Sequence, residues 1–254
     1  MADRKTSIDT ASLTIGGTDY KALCTGYQFG VENDQVKRKS VVDRYGKLCT
    51  TKQAGSFRIS LFSENAGACQ TNLDVTVFTV GGTALIGRMK SGRLSVSTGR
   101  TEGAGLSSRW KFPNSTGTEY SVSGDLFISS TAPLMLLMDN AAITAIDVTV
   151  IMTIGVLSFE APMTLKGVVH VVEEGQIQME NCTLEMRGDP VTVSGRALLV
   201  DILTGDAVAT FSIDTGAGTY AGDALLTSGE ISWSDGALIE DTYEFEVQGT
   251  PTIA

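Results

Sequence analysis

The chain has 254 residues, 42% of them hydrophobic, with 28 Gly, 5 Pro and a formal net charge of −10. That length gives one large all-β domain or two ordinary ones, with ample core either way. The charge excludes a nucleic-acid binder wrapped in basic surface, and it is unevenly placed: residues 1–130 carry 16 Lys+Arg against 11 Asp+Glu (+5), residues 131–254 carry 3 against 18 (−15).

In chain order, Met1–Thr10 has no apolar core, which predicts no secretory signal peptide. Leu13–Thr18 (LTIGGT) is echoed by Phe78–Thr83 (FTVGGT), and Leu73–Val77 (LDVTV) by Ile146–Val150 (IDVTV). These echoes divide the chain into about four β units, beginning near Ala11, Leu73, Ile146 and Ala207. Each unit ends in a closing strand: Ser56–Phe62, Tyr120–Ile128, Val191–Val200 and Tyr243–Gly249. The VSG shared by Val122–Gly124 and Val193–Gly195 is the firmest match among them.

Between the first strands lies Val31–Ala54, a charged segment read as a long loop, too long for a hairpin turn. Helix is scarce, with candidates at Glu64–Asn72 and Ala132–Ala142. Residues Ala141–Ser158 form the most apolar run, but Asp147 and the Val/Thr/Ile content predict strands and no membrane span. Period-2 alternation sets Tyr243, Phe245 and Val247 against Glu244, Glu246 and Gln248, and Ile231 and Trp233 against Glu230, Ser232 and Ser234. Arg109 and Lys111 alternate with Trp110 and Phe112 in the same way, and a one-residue slip in Gln176–Arg187 predicts a β-bulge near Asn181. One greasy and one wet face per strand is the pattern of antiparallel sandwiches and barrels.

Catalytic patterns are missing. Cys24, Cys49, Cys69 and Cys182 form no CxxC pair and there is a single histidine, His170, so neither a zinc site nor a Cys–His nucleophile is expected; the thiols are expected to be free. Gly16–Gly17 and Gly81–Gly82 lack a phosphate-loop frame and read as hairpin turns, and Glu173 and Glu174 read as a solvated tip before Gly175. No enzymatic activity, cofactor or metal is expected.

The long charged segment, the repeated closing strands, the helix candidates and the acidic wet face together resemble the major tail tube proteins of long-tailed bacteriophages, in a duplicated two-domain form. The resemblance implies two tandem tube-like β-barrel or sandwich domains, 1–130 and 131–254, each with a short flanking helix. It further implies self-assembly into trimeric rings of pseudo-sixfold symmetry, with hexamers as the alternative, stacked into a tube that conducts DNA. The virion tail would be the site of action, with assembly in the host cytoplasm and with tape measure protein and passing DNA as lumen partners. On this reading residues 31–54 contact the next ring through Lys37, Arg38, Lys39, Asp43, Arg44 and Lys47. Glu180, Glu185, Glu230, Glu244 and Glu246 line an acidic lumen, and +5 and −15 halves alternate around the ring. The alternatives are another virion, tail-tip or injectisome-like β protein, or a carbohydrate-binding β-sandwich.

Overall fold

A computed structural model of the chain describes residues 12–38, 47–62, 64–65, 68–70, 74–103, 112–128, 134, 146–205, 207–215 and 218–253. The first unit holds β1 (Ser12–Ile15), β2 (Thr18–Asp19), β3 (Cys24–Arg38) and β4 (Lys47–Phe62). A small ribbon, β5 (Glu64–Asn65) with β6 (Ala68–Cys69), follows. The second unit holds β7 (Val75–Val80), β8 (Thr83–Ala84), β9 (Met89–Gly103) and β10 (Phe112–Phe127). The third holds β11 (Ile146–Ile154), β12 (Leu157–Val171), β13 (Met179–Met186), β14 (Thr192–Ser194) and helix α1 (Ala197–Thr204). The fourth holds β15 (Val208–Asp214), β16 (Thr219–Ser234) and β17 (Glu240–Ile253). The fold is all-β, and the four expected unit starts fall within two residues of β1, β7, β11 and β15.

Strand pairing joins these units in an order the sequence echoes do not suggest. The first pairs with the fourth in the order β2-β1-β15-β16-β17-β4-β3. The second pairs with the third in the order β8-β7-β11-β12-β13-β10-β9. The two orders are the same. One seven-stranded motif is therefore nested inside the other, and antiparallel pairing of β9 with β16 fuses them into a single 15-stranded sheet. The expected boundary at 130/131 lies outside the described residues.

The correspondence extends to irregular features. In β3–β4 the register shifts by one residue at Thr25, and in β9–β10 it shifts at Lys90. In β12–β13 the shift falls at Lys166, and in β16–β17 at Thr227. Tyr20 donates its N–H to Leu13 O at 2.8 Å, and Leu85 donates to Phe78 O at the same distance. The two glycine-pair turns have φ of 56° and 81° at Gly16–Gly17 and of 56° and 80° at Gly81–Gly82. Positive φ at both central residues is what a type I′ two-residue hairpin needs and what glycine supplies without steric cost.

Several sequence expectations are corrected. The expected loop at 31–54 is largely paired strand: β3 and β4 pair from Cys24↔Leu61 out to Arg38↔Lys47, and residues 39–46 lie outside the described residues. Residues 64–72 contain the ribbon β5–β6 in place of a helix. Leu134 is buried, and the rest of the 132–142 helix candidate lies outside the described residues, as do Arg109, Trp110 and Lys111. Val191–Val200 is not a closing strand. Only Thr192–Ser194 is extended; Gly195 turns the chain at φ +99°, and α1 buries Leu198, Leu199 and Ile202. Apolar residues at i, i+1 and i+4 suit one helix face, and Gly205 at φ 84° terminates it. The third closing strand is β13, so the shared VSG is no structural equivalence. The bulge expected near Asn181 belongs instead to the partner strand, at Lys166.

Core and wet faces follow the alternation. A cross-strand row of Ile231, Leu94, Val122, Leu184 and Leu165 is buried across β16, β9, β10, β13 and β12. Phe57 stacks on Phe245 with ring centroids 4.4 Å apart, and Tyr120 meets Phe159 edge-on at 5.5 Å.

Candidate functional site: the wet face of the sheet

One residue along from the buried row lies a polar one. Gly26, Ser60, Thr242, Glu230, Ser95, Ser121, Glu185, Thr164 and Asp147 stand directly opposite one another on nine successive strands, from β3 to β11. The next row reads Ser232, Arg93, Ser123, Thr183 and Gly167. The wet face thus crosses both motifs without interruption. A depression of about 740 Å³ lies on it, lined among others by Ser91, Arg93, Ser123, Asp125, Asn181 and Thr183.

Four of the five expected lumen acids lie on this face, each with a basic partner. Glu244 is 3.6 Å from Arg58, Glu230 is 3.3 Å from Arg93, Glu185 is 2.6 Å from Lys166, and Glu246 pairs with Arg100. Asp147 adds a pair with Arg187 at 2.9 Å. Between them, Asp125 accepts hydrogen bonds from Ser91 Oγ and Asn181 Nδ2, both at 2.6 Å. The side chains in the four Glu pairs are a quarter to just over a half exposed, so each pair contributes about 0–1 kcal/mol. The face is acid-bearing but charge-paired, and among the described residues it presents no concentrated basic stripe to a phosphate backbone.

Glu180 is a correction. It sits on the core side of β13 with Cys182 and Leu184, fully buried, and its carboxylate accepts the Leu134 N–H at 3.4 Å. The parity of 180, 182 and 184 is the sequence signal that places it inside. A second buried acid, Asp241, occupies the corresponding position on β17 and pairs with Arg196, which also donates to Gln70 Oε1 at 2.8 Å. Burial pushes the Asp241 carboxyl up to about 6, against the pull of the Arg196 guanidinium. Sequence reasoning missed this network, although Asp241 shares the parity of Tyr243 and Phe245.

The remaining expected residues fall elsewhere. Lys37, Arg38 and Lys47 lie at the outer end of the β3–β4 ribbon, while Lys39, Asp43 and Arg44 lie outside the described residues. His170 is an exposed strand residue, and Glu173 and Glu174 are exposed beside the turn at Gly175, φ +77°. Cys182 is a buried free thiol pushed up to about 12 by burial, and Cys24 is a half-buried free thiol. Among the described residues no helix is long and apolar enough to cross a membrane, and no three His, Cys, Asp or Glu side chains converge as a metal site.

No family model matches the chain. No curated protein matches it either. Among solved structures it is similar to a chain of the virion of a native gene transfer agent particle, at 12% identity and a TM-score of 0.39, over 52% of this chain and 99% of that one. It is likewise similar to a chain from the tail of an empty particle of that agent, refined helically with C6 symmetry, at 11% identity and a TM-score of 0.37, over 53% and 99%.

Proposed function

We propose that the chain is a structural tail protein of a phage-type particle, assembling with copies of itself into rings that stack as a tube, with the wet sheet face lining the channel. The observation that carries this reading is the nine-strand polar row. A face of Ser, Thr and paired charges spanning two like motifs suits a wall along which DNA moves without sticking. The carboxylates disfavour phosphates, and Arg58, Arg93, Arg100 and Arg187 are each occupied by an acid. No catalytic constellation among the described residues competes for the role, and the buried Trp233 removes one exposed aromatic that a sugar-binding face would use.

In this reading the chain acts in the virion tail after assembly in the host cytoplasm, with tape measure protein and then DNA as lumen occupants. The β3–β4 ribbon, whose tip sequence carries Lys37–Lys39, reaches the adjoining ring. The charge split between halves acts within the chain: β4 and β9 of the first half meet acidic β17 and β16 of the second, as in Arg58–Glu244 and Arg93–Glu230. Electron microscopy of the purified full chain tests the proposal. Rings or tubes are expected, and a protein that stays monomeric at high concentration overturns it.

A further inference from the structure

Resting on that reading, we propose which edges join neighbouring copies: residues 27–32 of β3 add antiparallel to residues 167–172, along β12 and just past its end, on the next copy. The contact repeats between chains the β9–β16 seam found within one.

The nested motifs single out these two edges. In the inner motif the terminal strand β9 lies on the middle of the outer motif, pairing Ser91–Ser97 with Ser228–Ser234 of β16. In the outer motif the equivalent terminal strand is β3, and among the described residues it pairs with β4 alone. The equivalent of the β16 acceptor edge is the end of β12 beyond Leu165, where pairing with β11 stops and, among the described residues, only β13 remains as a neighbour. Each chain therefore carries one donor edge and one acceptor edge that its other motif uses internally. Two unlike edges on one chain make a head-to-tail contact, the kind that builds rings when the rotation between copies closes.

Burial marks the same two edges. At the internal seam Leu94, Val96, Ile231 and Trp233 are buried, between 0 and 4% exposed. Their counterparts are uncovered: Val31 is 44% exposed and Val172 62%, with His170 exposed and Phe29 half-buried. A long edge bearing apolar side chains is one that soluble proteins ordinarily cover. The bulges shared by the motifs fix the register, because Thr25 corresponds to Lys90 and Lys166 to Thr227. Transferring the β9–β16 pairs gives Glu32 opposite Gly167, Val31 opposite Val168, Phe29 opposite His170 and Tyr27 opposite Val172. Size is complementary there. Where the internal seam sets Trp233 over Gly92, the external one sets Val172 beside Tyr27, so the large and small partners exchange strands.

Register-specific cross-linking of the assembled full chain tests this. The double variant Val31→Cys/Val168→Cys, made with Cys182→Ser because Val168 stands opposite Cys182, mildly oxidised and run without reductant, is expected to give a ladder of covalent oligomers. Each single variant alone is expected to match the wild-type background from the native cysteines, and a mixture of the two to stop at dimers. Gln28→Cys/Val171→Cys gives a second in-register pair should the first fold poorly. Val31→Cys/Val172→Cys, four residues out of register and about 13 Å apart, is expected to give no ladder. Rings in micrographs without in-register cross-links overturn the edge assignment and leave the tail reading standing. Cross-linking by one single variant alone overturns the head-to-tail geometry. Absence of any assembly in the wild type overturns both.

Discussion

Trp233 on β16 lies over Gly92 on β9, and its ring fills the space that a side chain at position 92 would need. This contact lies in the seam that fuses the two motifs. Gly92→Ala is expected to destabilise the chain by about 1–3 kcal/mol through overpacking, read as a lower Tm. Trp233→Ala costs about 3–5 kcal/mol on its own. In the double variant the two losses are expected to be less than additive, because the alanine at 92 then meets no ring.

The buried pair of Arg196 and Asp241 ties the N-terminus of α1 to β17 and to Gln70. Arg196→Ala leaves the acid uncompensated and is expected to cost about 3–5 kcal/mol in thermal or urea unfolding.

Asp241 also predicts a pH dependence. Its folded value of about 6 lies above its ordinary 3.8, so the folded state binds the extra proton. Its stabilising contribution is full below about pH 4 and lost as pH rises through about 6. Asp241→Asn removes this linkage. The Tm of the variant relative to wild type is therefore expected to rise between about pH 4 and pH 7. A difference that stays constant or falls over that range contradicts the assignment.

The wet face gives a binding prediction. Single removal of Arg58 or Arg93 is expected to change stability by less than about 1 kcal/mol, since both pairs are exposed. Reversing Glu185, Glu230 and Glu244 together to Lys puts a basic stripe across the face. Fluorescence anisotropy with duplex DNA is expected to show salt-sensitive binding by this triple variant and none by wild type at moderate salt. Equal binding by both sinks the low-friction role of the face.

Much of the fold is legible from strand alternation. Tyr243, Phe245 and Val247 turn inward and Glu244 and Glu246 outward as period 2 requires, and the two GGT echoes are equivalent hairpins. Partner choice is not legible. Sequence echoes report likeness between units, whereas pairing depends on which edges meet in space; the first unit joins the fourth although 145 residues separate the end of β4 from the start of β15 at residue 208. The β3–β4 ribbon escapes sequence reading because charged residues on a projecting two-stranded arm look like loop composition. Helix α1 is hidden by the VSG match, since Leu198 and Leu199 then read as strand residues, although their spacing with Ile202 fits one helix face. Among the expected lumen acids, Glu180 falls on the wrong face unless the parity of β13 is followed through Cys182 and Leu184.

The mass of the smallest assembled particle tests the central claim most directly. Chains of 26.8 kDa joined edge to edge into a pseudo-sixfold ring give a particle of three, about 80 kDa, which native mass spectrometry or analytical ultracentrifugation resolves from larger stacks. That species and its multiples are expected; a single species of 26.8 kDa across the whole concentration range contradicts the ring.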